Sequence, residues 1–174
     1  MRTISIFLSL AVIGIYCACR SSHKQEELTS GELNDHIAAA NQLMVHHEKE
    51  EIAAFISRHQ FIMDSTGTGL RYDIYFNSQG EKPKPHDAVV VAYKVYFLNG
   101  TLVYDHPESS PDTFRLAEAQ RPRGLEDALF QMSPGSKARL VLPSHLAYGM
   151  IGDQARIPGA TPLYYDLCLL KINP

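Results

Sequence analysis

The chain has 174 residues, of which 45% are hydrophobic and 20% charged, and its formal net charge is −3. That balance is typical of one globular domain with appended segments, which can bury a core without disulfide bonds or structural metals. A weakly acidic chain without a basic cluster excludes a protein that binds nucleic acid through a cationic surface. We therefore expect no nucleic-acid partner.

The first 28 residues resemble a targeting segment followed by a tether. Arg2 precedes an apolar run over residues 4–15, which is too short to span a bilayer as a helix, and small Ala18 precedes Cys19. This order predicts a bacterial lipoprotein signal over residues 1–18, cut before Cys19, whose thiol would then carry lipid. The alternative is an ordinary secretory signal with Cys19 as an incidental thiol. Residues 19–28 are polar and predict a tether.

Cysteine usage gives a second expectation for the mature chain. Cys17 would leave with the signal, and Cys168 would remain as a single thiol within the apolar run "YYDLCLLKI". One thiol cannot form an intrachain disulfide, so the fold must be held by packing. Cys168 is most simply a small core residue.

Residues 29–63 predict a helical accessory segment. Thr29 and Glu32 have the spacing of a capping box at a helix start. Apolar residues then recur on one helical face, as expected for an amphipathic helix that must bury a stripe: Leu33, Ile37, Ala40, Met44, Ile52, Phe55 and Ile56. Docking on the chain's own domain and pairing with a second copy as a homodimer are both open.

Histidines on the predicted helix raise the alternative of a metal site. The four are His36, His46, His47 and His59, and no set of them combines i, i+4 spacing with a carboxylate that faces it. Solvated side chains explain them better, because isolated histidines seldom ligate metals. We expect no metal and no cofactor.

Residues 64–174 predict one domain of mixed α+β class. Several segments alternate or are rich in β-branched residues, above all "AVVVAYKVYFL", which the turn Asn99-Gly100 ends. A short helix is predicted in "LEDALFQM", between strands "TFRLA" and "KARLVL". The last strand is "TPLYYDLCLLKI". This order predicts an antiparallel sheet that buries one face on a helix.

The loop "HLAYGMIGDQARIPG" places a single aromatic residue, Tyr148, between turns at Tyr148-Gly149 and Ile157-Pro158-Gly159. Loops that carry apolar side chains often cover a binding site. Together with "GLEDALFQMSPGSKARLVLPSHLAYG" and "IPGATPLYYDLCLLKI", this loop resembles the FKBP-type peptidyl-prolyl isomerases. The resemblance runs from about Asp87 to Ile172. It implies an antiparallel sheet wrapped around one short helix, with the substrate proline held between them.

The resemblance also implies roles for individual residues. Tyr93, Asp105 and Tyr148 correspond to catalytic positions: Asp105 would accept a hydrogen bond from the wall residue Tyr93, and Tyr148 would donate its hydroxyl to the bound peptide. The implied substrate-binding residues, which form the walls, floor and lip of the pocket, are Tyr104, Phe114, Leu125, Ile157 and Tyr165. Taken singly, each aromatic residue would be explained as core packing, and their joint place in the family pattern favours the site.

The chain departs from the family at the start of the short helix. Arg121-Pro122 stands where the family has an apolar pair, whose second member donates its backbone N–H to the substrate carbonyl. Proline has no N–H, so this bond cannot form. Asp112 also occupies a place that is usually aromatic, and the return of the hairpin is one residue longer. These departures predict a smaller, less apolar pocket and a weaker enzyme.

The first hypothesis is therefore a peptidyl-prolyl cis-trans isomerase that assists the folding of exported, proline-containing polypeptides. The lipid on Cys19 would anchor it in the cell envelope, at the outer membrane facing the periplasm, and the signal and helix further resemble envelope-anchored bacterial members, including those linked to gliding motility. The alternative is a non-catalytic chaperone or accessory binding module of an envelope or gliding machinery, which Pro122 favours.

Overall fold

The computed structural model describes residues 29–173, so the predicted signal, the tether and Cys19 lie outside the described residues. The described chain forms two helices and one seven-stranded antiparallel sheet. The helices are α1 (Ser30–His59) and α2 (Arg123–Leu129). The strands are β1 (Asp64–Ser65), β2 (Arg71–Phe76), β3 (Ala88–Phe97), β4 (Leu102–His106), β5 (Asp112–Arg115), β6 (Lys137–Leu142) and β7 (Leu163–Asn173).

Strand β3 organises the sheet because it pairs with three others. The strand order is β1-β2-β6-β7-β3-β4, and β5 also pairs with β3. Along β3, the side chains of Val89, Val91, Tyr93 and Val95 are buried on one face, as the period of two in a strand requires. The predicted turn at Gly100 closes the β3–β4 hairpin, and its φ of 91° is a conformation that favours glycine.

Helix α2 packs against the buried face of the sheet. Leu125 and Leu129 of the helix, and Met132 just after it, are 0% exposed and pack into one core with the inner residues of the strands. Gly124 allows the close approach, because a Cβ at this position would lie 2.9 Å from Cγ of Leu142. The predicted α+β architecture, an antiparallel sheet around one short helix with a helix before it, is confirmed.

The second half of α1 is part of the folded domain. The described residues from Asn41 onward belong to one compact unit, which therefore includes this half of the helix as well as the sheet. The reason is a second apolar cluster in which Ile52 and Phe55 of α1 pack on Leu98 and Val141. The ring of Phe55 lies 5.2 Å, centroid to centroid, from that of Tyr164. Docking on the chain's own domain thus accounts for this half of the apolar stripe.

A buried carboxylate links the same half of α1 by hydrogen bonds to the turn that follows β6. Glu48 is 9% exposed, and its carboxylate accepts hydrogen bonds from the backbone N–H of Ser144 and from the Ser144 hydroxyl, the latter at 3.1 Å. Ser144 begins the short 3₁₀ turn Ser144–Leu146 that leads to Tyr148. Helix α1 therefore holds the start of the loop that sequence analysis singled out.

The first part of α1 has a different character. Its predicted capping box is present, since the Glu32 carboxylate accepts a bond from the Thr29 backbone N–H at 2.9 Å. Leu33 and Ile37 are 47% and 50% exposed. Among residues 29–173, no helix combines the length and the apolar character that a membrane span needs.

The docking of α1 generates a test of stability. Phe55→Ala removes a ring that is 2% exposed, so we expect the free energy of unfolding to fall by ~3–5 kcal/mol. Leu43→Ala, on the same helix at a position 71% exposed, is the matched control and should change it by less than ~0.5 kcal/mol. Urea unfolding followed by circular dichroism measures both. Similar small losses for the two variants would contradict the docked position of Phe55.

Candidate proline-binding site

Seven of the residues that sequence analysis proposed for the site meet in the main core cluster, between the sheet and α2. Five of them are buried there, and Tyr104 and Tyr148 are partly buried against the same cluster. The rings of Tyr93 on β3 and Tyr165 on β7 lie 5.8 Å apart, centroid to centroid. The five buried members are Tyr93, Phe114, Leu125, Ile157 and Tyr165. We call these seven residues the aromatic cluster.

The floor of the aromatic cluster is closed in this conformation. Leu125 is 0% exposed, Tyr165 1%, and Phe114 and Ile157 3% each. A proline ring would therefore first meet the partly exposed members, Tyr104 and Tyr148, and contact with Leu125 requires the surrounding side chains to move. The smaller pocket that the departures from the family pattern indicate stays a prediction.

At the edge of the aromatic cluster, the carboxylate of Asp112 pairs with the guanidinium of Arg121, and both residues are departures from the family pattern. Asp112 on β5 accepts the hydroxyl of Tyr93 at 2.7 Å. Its two oxygens also accept Nε and one terminal nitrogen of Arg121, both at 2.8 Å, in a bidentate ion pair. The Arg121 guanidinium carbon lies 5.2 Å from the centroid of the Phe114 ring. Charge has replaced apolar surface here, and the two charges neutralise each other.

The pKa values of this group follow from its contacts. Burial acts to raise the pKa of Asp112, but the hydrogen bonds from Arg121 and Tyr93 outweigh it and hold that pKa below its ordinary value. Burial, followed by the bond to Asp112, raises the pKa of Tyr93. Burial likewise raises the pKa of Tyr148. At neutral pH the two tyrosines are therefore neutral donors and Asp112 is an ionised acceptor.

Asp105 occupies a different place from the one expected. It lies opposite Lys94 in the β3–β4 register, and its carboxylate is 3.7 Å from the Lys94 ammonium. Residues directly opposite share a face, so Asp105 points to the outer face with Lys94, while His106 lies opposite Tyr93. The hairpin register shifts between Val95 and Tyr96. Asp112 therefore takes the acceptor role that sequence analysis assigned to Asp105.

The loop that carries Tyr148 is held by a second carboxylate. One oxygen of Asp153 accepts the backbone N–H groups of Ala155, Arg156 and Ile157 at 2.9, 2.9 and 2.7 Å. The other oxygen accepts the hydroxyl of Tyr104. Burial opposes ionisation, but the bonds from Tyr104 and the three N–H groups lower the pKa of Asp153 to about 2. This carboxylate fixes Ile157 and Tyr104 relative to each other.

The sequence did not predict the hydrogen bonds made by four side chains in and around the site: Asp112, Arg121, Asp153 and Glu48. The first two were noticed only as separate departures, although opposite charges at two neighbouring wall positions are a signal for a pair. Asp153 follows Gly152 in a turn, where an aspartate commonly accepts backbone N–H groups two or three residues on. Nothing in the sequence near Glu48 indicates its bond to Ser144, which joins positions 96 residues apart.

Comparison with known proteins agrees with this geometry. Residues 79–170, more than half of the chain, match the family described as FKBP-type peptidyl-prolyl cis-trans isomerase. The chain belongs to this family. The resemblance inferred from the loop and helix motifs is thus confirmed.

Individual relatives include proteins of bacteria and animals. The chain is 35% identical over 111 residues to the FKBP-type peptidyl-prolyl cis-trans isomerase FkpA of Escherichia coli K12. The matched region covers 63% of this chain and 40% of FkpA. It is 32% identical over 107 residues to the peptidyl-prolyl cis-trans isomerase Mip of Coxiella burnetii, covering 60% of this chain and 45% of Mip. The chain thus spans less than half the length of these curated relatives.

Solved structures share the fold. A peptidyl-prolyl cis-trans isomerase from Pseudomonas syringae superimposes with a TM-score of 0.65 at 26% identity, over 76% of this chain and 96% of that one. FkpA from Escherichia coli superimposes with a TM-score of 0.62 at 25% identity, over 98% of this chain and 82% of that one. The FKBP-like character of the predicted fold is therefore confirmed.

Proposed function

We propose that this chain is a peptidyl-prolyl cis-trans isomerase that acts on proline-containing polypeptides. The observation that carries the proposal is the aromatic cluster, which lies between sheet and helix within the part of the chain that matches the isomerase family. Tyr148, half-buried at its edge, offers a neutral hydroxyl donor.

The chemistry of prolyl isomerisation suits such a site. Trans and cis X–Pro bonds differ by only ~0.5–1 kcal/mol, but amide resonance sets a barrier of ~18–20 kcal/mol between them. A catalyst must favour the twisted amide, whose carbonyl no longer conjugates with the nitrogen. An apolar site that excludes water, together with donors fixed on the flanking peptide groups, does this without a nucleophile. The flat faces of Tyr93, Phe114 and Tyr165 suit a pyrrolidine ring.

A second candidate function is a non-catalytic binding module of the cell envelope. It is supported by the closed floor of the aromatic cluster and by Pro122, the N-cap residue of α2, which has no backbone N–H. Such a module would hold clients without accelerating isomerisation. Catalysis measured on the chain itself separates the two functions.

The location that fits these functions is the cell envelope, with the chain anchored at the outer membrane and facing the periplasm. The support comes from residues 1–19, where the apolar run ends in Ala18-Cys19. Exported proteins would then be the clients, and the isomerase would assist their folding. This location is a proposal that rests on sequence.

The isomerase proposal is tested with Tyr148→Phe. The native protein should accelerate cis-trans exchange in an X–Pro peptide and the proline-limited refolding of a client protein. Loss of the hydroxyl should lower kcat/KM about two- to tenfold, because one hydrogen bond to the peptide is lost. The free energy of unfolding should change by less than ~1.5 kcal/mol.

Tyr96→Phe is the matched control for this measurement. It also removes one tyrosine hydroxyl, but away from the aromatic cluster. Tyr96 lies on β3 and faces the side opposite to Tyr93, and its ring centroid is 5.7 Å from that of Tyr164. Its kcat/KM should equal that of the native protein. Absence of catalysis by the native protein on both peptide and refolding substrates would decide for the binding module.

The anchor proposal is tested with Cys19→Ser. Two or more acyl chains on the mature amino-terminal cysteine would hold the protein firmly in a membrane. The native protein expressed in a bacterium should fractionate with the membrane, and the variant should move to the soluble envelope fraction. A variant that stays with the membrane would show that Cys19 is not the anchor.

A further inference from the structure

Pro122, at the N-cap of α2, offers no backbone N–H to a bound peptide. A peptide that enters the aromatic cluster brings backbone carbonyl oxygens, each of which requires a hydrogen bond once water is excluded. We propose that the guanidinium of Arg121 supplies such a donor and contacts the substrate carbonyl directly. The inference rests on the isomerase function proposed above and adds a substrate-contacting residue to it.

The guanidinium has donors to spare after its contacts within the protein. Arginine carries five N–H groups. Nε and one terminal nitrogen each donate to Asp112, and the other terminal nitrogen donates to the backbone carbonyl of Gln120 at 2.8 Å. Five groups minus these three leave two for a ligand. The side chain of Arg121 is 32% exposed and can be reached from solvent.

The guanidinium also lies at the edge of the aromatic cluster. It is placed over the Phe114 ring and next to Asp112, which the Tyr93 hydroxyl also binds. Arg121 thus stands among the aromatic side chains that would enclose the proline.

Asp112 is the positioning residue for this donor. A bidentate pair fixes the plane of the guanidinium, so that little side-chain entropy is left to lose when a ligand binds. Asp112 is 10% exposed, so its own oxygens are largely turned away from a ligand. A preorganised donor acts on the twisted amide without first having to rearrange.

The test is a double-mutant cycle between the Arg121 pair and Pro122, with kcat/KM on an X–Pro peptide as the readout. The first variant, Arg121→Met with Asp112→Asn, removes both charges together but keeps an acceptor for Tyr93 and an unbranched side chain over Phe114. The second, Pro122→Val, adds a backbone N–H at a φ of −52° and ψ of 133°, which valine can adopt. The third combines all three substitutions.

We expect the Arg121 variant to lose about tenfold in kcat/KM. Pro122→Val alone should change kcat/KM by less than about threefold, since the donor is already present, but in the Arg121 variant it should restore most of the loss. A purely structural role of Arg121 would not be rescued by a new N–H on the next residue. Urea unfolding of each variant verifies that the fold persists.

Two outcomes overturn the inference while the isomerase function stands. One is an unchanged or higher kcat/KM in the Arg121 variant, which would mean that the guanidinium only covers the cluster. The other is an equal gain from Pro122→Val in both backgrounds, which would mean that the two positions act independently. If the native protein fails on peptides and on refolding proteins alike, the isomerase function itself is wrong and the inference falls with it.

Discussion

The carboxylate of Asp112 is the contact on which the candidate site depends. It accepts the Tyr93 hydroxyl from β3 and the bidentate Arg121 side chain that precedes α2, so it joins the sheet to the helix entrance at one point. An ionised group that is 10% exposed is tolerated only when it is paired and hydrogen-bonded, and here both of its oxygens are. Without it, the Arg121 guanidinium over Phe114 would keep only its hydrogen bond to the backbone carbonyl of Gln120.

The scaffold around this contact explains how the residues of the site are brought together and held. Strand β3 pairs with β4, β5 and β7, and thereby brings Tyr93, Phe114 and Tyr165 onto one face. Two carboxylates hold the loop after β6. Glu48 of α1 accepts hydrogen bonds from Ser144 at its start, and Asp153 accepts three backbone N–H groups within the loop. Helix α1 therefore does more than extend the chain, because its second half holds the base of the loop that carries Tyr148.

The resemblance to the family implied the grouping of the aromatic cluster. The sequence was sufficient on its own to predict the sheet and the short helix, because hydrophobic periodicity depends on local order. It was not sufficient for contacts that depend on strand register. The longer hairpin return shifts the register beyond Val95, which turns Asp105 outward with Lys94. A one-residue change of register reverses the face of a side chain, and no local pattern reports it.

The same limit applies to the packing of helix α1. The apolar stripe of α1 was visible in the sequence, but docking and dimerisation use the same stripe. The structure separates its two parts, since Ile52 and Phe55 are 5% and 2% exposed whereas Leu33 and Ile37 remain about half exposed. The charges of Arg121 and Asp112 were visible too, and their partnership required the geometry that places position 112 of β5 beside the start of α2.

The most direct test of the account is the titration of the Asp112 carboxyl group, followed by carbon-detected NMR of the native protein. Because the bonds from Arg121 and Tyr93 lower its pKa, the midpoint should lie below the ~3.9 of an unperturbed aspartate. The stabilisation that Asp112 provides should accordingly be complete above about pH 4, and be lost as the pH falls through its native pKa. A midpoint at or above the ordinary value, as burial alone would give, would show that the ion pair does not hold the site together.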